Sequence, residues 1–85
     1  MASGPMKSQN VKRMSITGTP NQYGALLFSS DLNSIADRIC GIVGSNASNV
    51  VINMMKSNGT NYFAVMKAYD GSAYTSELTI TVAYI

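Results

Sequence analysis

Apolar and polar positions alternate most sharply at the end of the chain. Over residues 77–85, Leu78, Ile80, Val82 and Tyr84 fall on one side of a two-residue period, and Thr79, Thr81 and Ala83 fall on the other. That is the pattern of a strand with one buried face. The same period closes residues 11–17, where Met14 and Ile16 alternate with Ser15 and Thr17. Residues 18–24 then carry two glycines, a proline and an asparagine, a composition that marks a loop. Residues 25–29, built around Leu26, Leu27 and Phe28, form an apolar run of strand length. A helical turn is expected only over residues 30–37, where Ser30 or Asp31 can cap and Leu32, Ile35 and Ala36 stand at i, i+3 and i+4.

Strand character returns over residues 38–45 with Ile39, Ile42 and Val43, while Gly41 and Gly44 mark a bulge, a bend or a close backbone contact. After a polar turn at residues 45–49, residues 50–56 and 61–69 read as two arms of a hairpin joined at Ser57-Asn58-Gly59-Thr60. Asn-Gly suits a two-residue hairpin turn. Asp70-Gly71-Ser72 opens the last loop.

Turn signals this frequent, with so little helix, predict an all-β fold: a small antiparallel β-sandwich or barrel of about six strands with at most one short helical turn. Residues 10–85 form the single β domain, and residues 1–9 are expected to be a disordered lead or cleavage remnant. The expected core is Ile16, Leu27, Ile39, Val43, Ile52, Phe63, Val65, Leu78, Ile80 and Val82.

The hairpin arms depart from simple alternation because both of their faces are apolar. Val50, Ile52 and Met54 point one way, with Val51 and Met55 the other; Tyr62, Ala64, Met66 and Ala68 oppose Phe63 and Val65. In a two-layer domain only one face of each sheet meets the internal core, and monomers seldom expose a continuous apolar patch beyond a few hundred Å². The second face is therefore expected to be an oligomer interface, with Val51, Met55, Tyr62 and Met66 at its centre. Methionine suits such a seam as an adaptable filler.

Composition narrows the chemistry. Charged residues make up 12% of the 85 positions, and the net charge is +2 with the basic residues dispersed. This is no basic stripe for nucleic acid. No segment approaches a membrane span, and residues 1–10 lack the apolar middle of a signal peptide. Histidine is absent and Cys40 is the only cysteine, which removes histidine-based catalysis, a disulfide within one chain and structural zinc. No cofactor or metal is expected. Cys40 lies in an apolar segment and reads as buried or half-buried packing, since free cysteine behaves as a small hydrophobe. Asp70 and Glu77 flank one loop and are the nearest thing to a glycosidase pair, but Asp70 beside Gly71 reads first as a turn former. The chain is expected not to be an enzyme. Two acceptor sequons, at Asn46 and Asn58, fall in turns and point to exposed loops.

Tyrosine is the remaining feature. Tyr23, Tyr69 and Tyr74 lie in or beside loops near Asn, Ser and Gly, where a ring with a polar tip suits contact with a sugar or a protein. Tyr69, Asp70 and Tyr74, with Tyr23 next, are the candidate ligand-binding residues; the alternative is that these rings close the ends of the sandwich or pack at a subunit seam.

The segment from Tyr62-Phe63-Ala64-Val65-Met66-Lys67-Ala68-Tyr69-Asp70-Gly71-Ser72 to Leu78-Thr79-Ile80-Thr81-Val82-Ala83-Tyr84-Ile85 resembles the carboxy-terminal tips of bacteriophage tail-fibre and receptor-binding proteins. The resemblance covers about half the chain and lies in low charge, abundant Asn, Ser, Thr and Gly, and paired strands. It implies an all-β homotrimeric head at a virion fibre tip that attaches to a bacterial surface saccharide or protein. A purely structural oligomerisation or capping module with no external ligand is the alternative.

Overall fold

The computed structural model describes residues 10–85; the expected lead, residues 1–9, lies outside the described residues. The fold is all-β and antiparallel, two three-stranded sheets facing each other across one core. In the first sheet, β1 (Lys12–Gly18) and β3 (Ile39–Ser45) flank β6 (Leu78–Tyr84). In the second, β2 (Ala25–Leu27) and β4 (Val50–Ser57) flank β5 (Thr60–Lys67). The two central strands, β5 and β6, are thus the last two in the chain.

Alternation places the core. On β6, Leu78, Ile80 and Val82 are buried, and Ile16 and Met14 of β1 stand opposite Ile80 and Val82. On the outer face of the same sheet, Ser15 meets Thr81 and Thr17 meets Thr79 through hydroxyl hydrogen bonds of 2.7 Å each, cross-strand pairs that hold this register. From the other sheet, Phe63 and Val65 of β5 are fully buried, and the Phe28 ring lies 4.7 Å from that of Phe63 at a tilt of 38°.

The helical turn is α1 (Ser30–Asn33), followed by a 3-10 turn over Ala36–Arg38. Its cap is Ser29, whose hydroxyl accepts from the Leu32 N–H at 3.2 Å, in place of the expected Ser30 or Asp31. Leu32 and Ile35, three residues apart, are buried and join the core cluster, two core residues absent from the expected set. Arg38 ends the segment with its guanidinium 5.6 Å from the Tyr84 ring centroid and a hydrogen bond to the Ile85 carbonyl at 3.1 Å.

Three expectations are corrected. Leu27, expected in the core, is 61% exposed: β2 pairs Leu26 with Phe63 and Leu27 with Tyr62, so period two turns Leu26 inward and Leu27 out. Val43, also expected inside, is 49% exposed. Register shifts between Ile39 and Gly41 and between Ile42 and Gly44 insert two bulges in β3, so Ile39 and Ile42 both face the core and Val43 is turned out. Cys40, expected to be buried or half-buried, is exposed in the first bulge. A Cβ built on Gly41 or Gly44 would meet nothing within 4 Å, so these glycines mark bulges and not close contacts.

The Asn-Gly hairpin forms as its sequence predicts. Asn58 and Gly59 both have positive φ, 50° and 78°, and Ser57 pairs with Thr60, the two-residue turn whose twist matches its strands.

Candidate functional site: the outer face of the β2–β5–β4 sheet

Pairing across β5 brings the expected interface residues onto one outward face. Val51 stands opposite Met66 and Met55 opposite Tyr62, while on the other side of β5 Leu27 is also opposite Tyr62. The middle row is smaller, with Ala25 and Asn53 both opposite Ala64. Small side chains between larger ones leave a shallow trough of about 500 Å³, lined by Tyr23, Leu27, Met55, Tyr62, Ala64 and Met66 among others. Tyr23 stands at its rim, 71% exposed.

This face carries no charged side chain; the polar residues along its three strands are Asn53 in the middle and Ser57 and Thr60 at the hairpin end. The opposite surface of the domain is different in kind: Arg13, Ser15, Thr17, Thr79 and Thr81 face outward there, as expected of a face that meets water. Leu27 was missed as part of the patch because the run Leu26-Leu27-Phe28 is apolar throughout and conceals which residue faces in.

The candidate ligand-binding residues are not gathered into one site. Tyr69 is 75% exposed on the turn after β5. Asp70 beside it is committed to that turn, since its Oδ1 accepts from the Ser72 N–H at 2.9 Å and from the Ser72 hydroxyl at 2.7 Å. The Ser72 N–H first, then its hydroxyl, and also the positive charge of Lys67, hold the Asp70 carboxyl below its ordinary value of 3.8. The carboxylate's support of the turn is therefore complete above that ordinary value and is lost as pH falls through the lowered one.

Tyr74 is half-buried against the core, and its N–H donates to the Val65 carbonyl at 3.0 Å. This ring packs; Tyr69 is the free one. Tyr74→Ala is accordingly expected to lower unfolding stability by about 1–3 kcal/mol, while Tyr69→Ala stays within about 0.5 kcal/mol of the native protein, as urea denaturation of the two variants can show.

Among the described residues no group of three or more His, Cys, Asp or Glu side chains is placed to hold a metal ion, and no helix is long and apolar enough to cross a membrane. No family model, curated protein or solved structure matches this chain.

Proposed function

We propose that this domain is a non-catalytic assembly module whose copies meet through the β2–β5–β4 sheet. The observation that carries this reading is the outer face of that sheet, where Leu27, Val51, Met55, Tyr62 and Met66 form one uncharged surface across three strands. A second copy of the chain is the occupant that fits. The face is apolar on every strand and carries no charge to repel its like, and a two-fold contact buries the same patch on both partners. Three of its large side chains, Leu27, Val51 and Met55, are 61%, 48% and 45% exposed in the single chain, so association removes from water surface that the internal core leaves uncovered.

The resemblance to fibre tips gives such a module a place, at the end of a virion fibre, with attachment to a host-surface saccharide or protein as its second task. The exposure of Tyr69 favours that addition: an aromatic ring held on a turn fixed by Asp70 and Ser72 is available to an external ligand. Loss of whole-cell binding in Tyr69→Ala, with folding intact, is the expected result; unchanged binding leaves the purely structural module.

The assembly reading is tested by Met55→Lys and Met66→Glu. Each places a charge in the centre of the face, and burying it against a second copy weakens association by more than about tenfold. Light scattering is expected to give a lower mass for both variants than for the native protein at equal concentration, with unchanged far-ultraviolet circular dichroism. Native-like mass in both would remove this face from the interface.

A further inference from the structure

The four free edges of the two sheets are not equally protected. β3 is interrupted by two bulges, β2 is three residues long, and β1 opens with Lys12 and Arg13, all recognised ways of blunting an edge against strand addition. β4 has none of these. It runs eight residues in unbroken register with β5, contains no proline and carries one charge, at Lys56.

Hydrogen bonds on the far side of β5 show what the β4 edge presents. The Val65 N–H donates to Gly24 and its carbonyl accepts from Tyr74; the Lys67 N–H donates to Ser72; the Asn61 carbonyl accepts from Phe28. These β5 residues turn their main-chain groups away from β4, so their partners Lys56, Ile52 and Val50 form non-hydrogen-bonded pairs. By the same alternation Met54, opposite Phe63, belongs with them. Val50, Ile52, Met54 and Lys56 therefore direct their own N–H and C=O groups to the free edge, and among the described residues no backbone hydrogen bond reaches them there.

An edge of this kind fits a second copy of itself in one register best. Antiparallel partners share a face, so the two-fold axis must pass through a residue and not between two. With the axis at Asn53, Ile52 faces Met54 and Val50 faces Lys56 as hydrogen-bonded pairs, so no lysine opposes a lysine. On the outer face Val51 meets Met55, and the two Asn53 amides meet each other. A register centred on Met54 would set Lys56 against Ile52 and leave Asn53 against Met55. Asn53, the one polar side chain of β4 between Val51 and Met55, thus meets a polar partner on the axis with most of the strand paired. The register that sets it against Ser57, centred on Met55, pairs only residues 53–57. A lone asparagine in an apolar seam fixes register in this way.

We propose that β4 of one copy pairs antiparallel with β4 of a second copy about a two-fold axis at Asn53, joining two three-stranded sheets into one of six strands. This rests on the reading that copies meet at the β2–β5–β4 sheet, and it adds a second contact with its own register. Edge pairing at β4 extends the outer face and does not cover it, so Leu27, Tyr62 and Met66 are covered by the face contact and not by the edge. The assembly has a two-fold axis, so its mass falls on even multiples of the 9.1 kDa chain, in place of the homotrimer implied by the resemblance.

The test uses the full chain with Cys40→Ser as background. Two Asn53 residues on the axis form a non-hydrogen-bonded pair with Cα atoms about 4.5 Å apart, within the span a disulfide bridges. Asn53→Cys is expected to give a covalent dimer under mild oxidation on a non-reducing gel. Val51→Cys alone is not expected to link, because two copies of residue 51 lie about 13 Å apart along the strands. Mixing Val51→Cys with Met55→Cys restores the link. In a second arm, Asn53→Asp sets two carboxylates face to face, so association falls at neutral pH and returns in acid as they protonate.

Failure of Asn53→Cys to link in a protein that still associates, efficient linking of Val51→Cys alone, native association of Asn53→Asp at neutral pH, or a trimeric mass would each overturn the edge pairing while leaving association through the sheet in place. A native chain that is monomeric throughout defeats both.

Discussion

Phe63→Ala is expected to cost about 3–5 kcal/mol of unfolding free energy, the range for a fully buried aromatic ring. Phe63 is 0% exposed on the central strand of its sheet, packs on Phe28 at 4.7 Å, and belongs to the cluster that joins both sheets with Leu32 and Ile35. Neighbouring strands hydrogen-bonded on both sides of β5 limit how far the structure can close over the hole. A domain of this length has a total stability of roughly 4–11 kcal/mol, so the variant loses much of it. Chemical denaturation at fixed protein concentration measures the loss, because association adds stability that rises with concentration. A cost under about 1 kcal/mol would contradict this packing.

Gly24→Ala is expected to cost about 2–4 kcal/mol, from backbone strain and a collision together. Gly24 is buried with φ at 79°, and a Cβ there would lie 2.4 Å from the Val65 carbonyl oxygen. That oxygen cannot move aside without breaking its hydrogen bond from Tyr74, and the neighbouring Val65 N–H is bonded to Gly24 itself. The substitution thus strikes the place where β2 hands over to residues 72–74 along one side of β5. Gly41→Ala is the control: its φ is not positive and a Cβ would meet nothing within 4 Å. Its denaturation midpoint is expected to stay near the native one or rise, since glycine in a strand costs about 0.5–1 kcal/mol relative to alanine. Equal destabilisation by both substitutions would contradict the account of Gly24.

Where one face of a strand meets water, the sequence predicts the fold closely. β1 and β6 are legible because Ser15, Thr17, Thr79 and Thr81 alternate with Met14, Ile16, Ile80 and Val82. The Asn58-Gly59 turn is legible because only one kind of hairpin accommodates that pair. Legibility fails where alternation carries no contrast or changes phase. Leu27 sits in a run with no polar neighbour to show its direction, and Val43 follows a bulge that shifts the period by one residue. Leu32 and Ile35 stand at helical spacing in the sequence, yet their burial depends on how the turn lies across both sheets, which is non-local information.

The candidate site divides in the same way. Val51, Met55, Tyr62 and Met66 share a face because strand parity is local and the hairpin register follows from its turn. Tyr69 and Tyr74 look alike in sequence, but the bridge between Met66 and Ala73 draws Tyr74 onto the core and leaves Tyr69 outside.

The central claim is that the β2–β5–β4 sheet is where copies of this chain meet, and the native protein tests it without substitution. Sedimentation or light scattering should be followed from low to high micromolar concentration at moderate salt. The expected result is a mass that rises to at least about 18 kDa, twice that of the 9.1 kDa chain, and persists when salt is raised, because the face carries no charge to screen. A mass of 9.1 kDa at every concentration would contradict the claim.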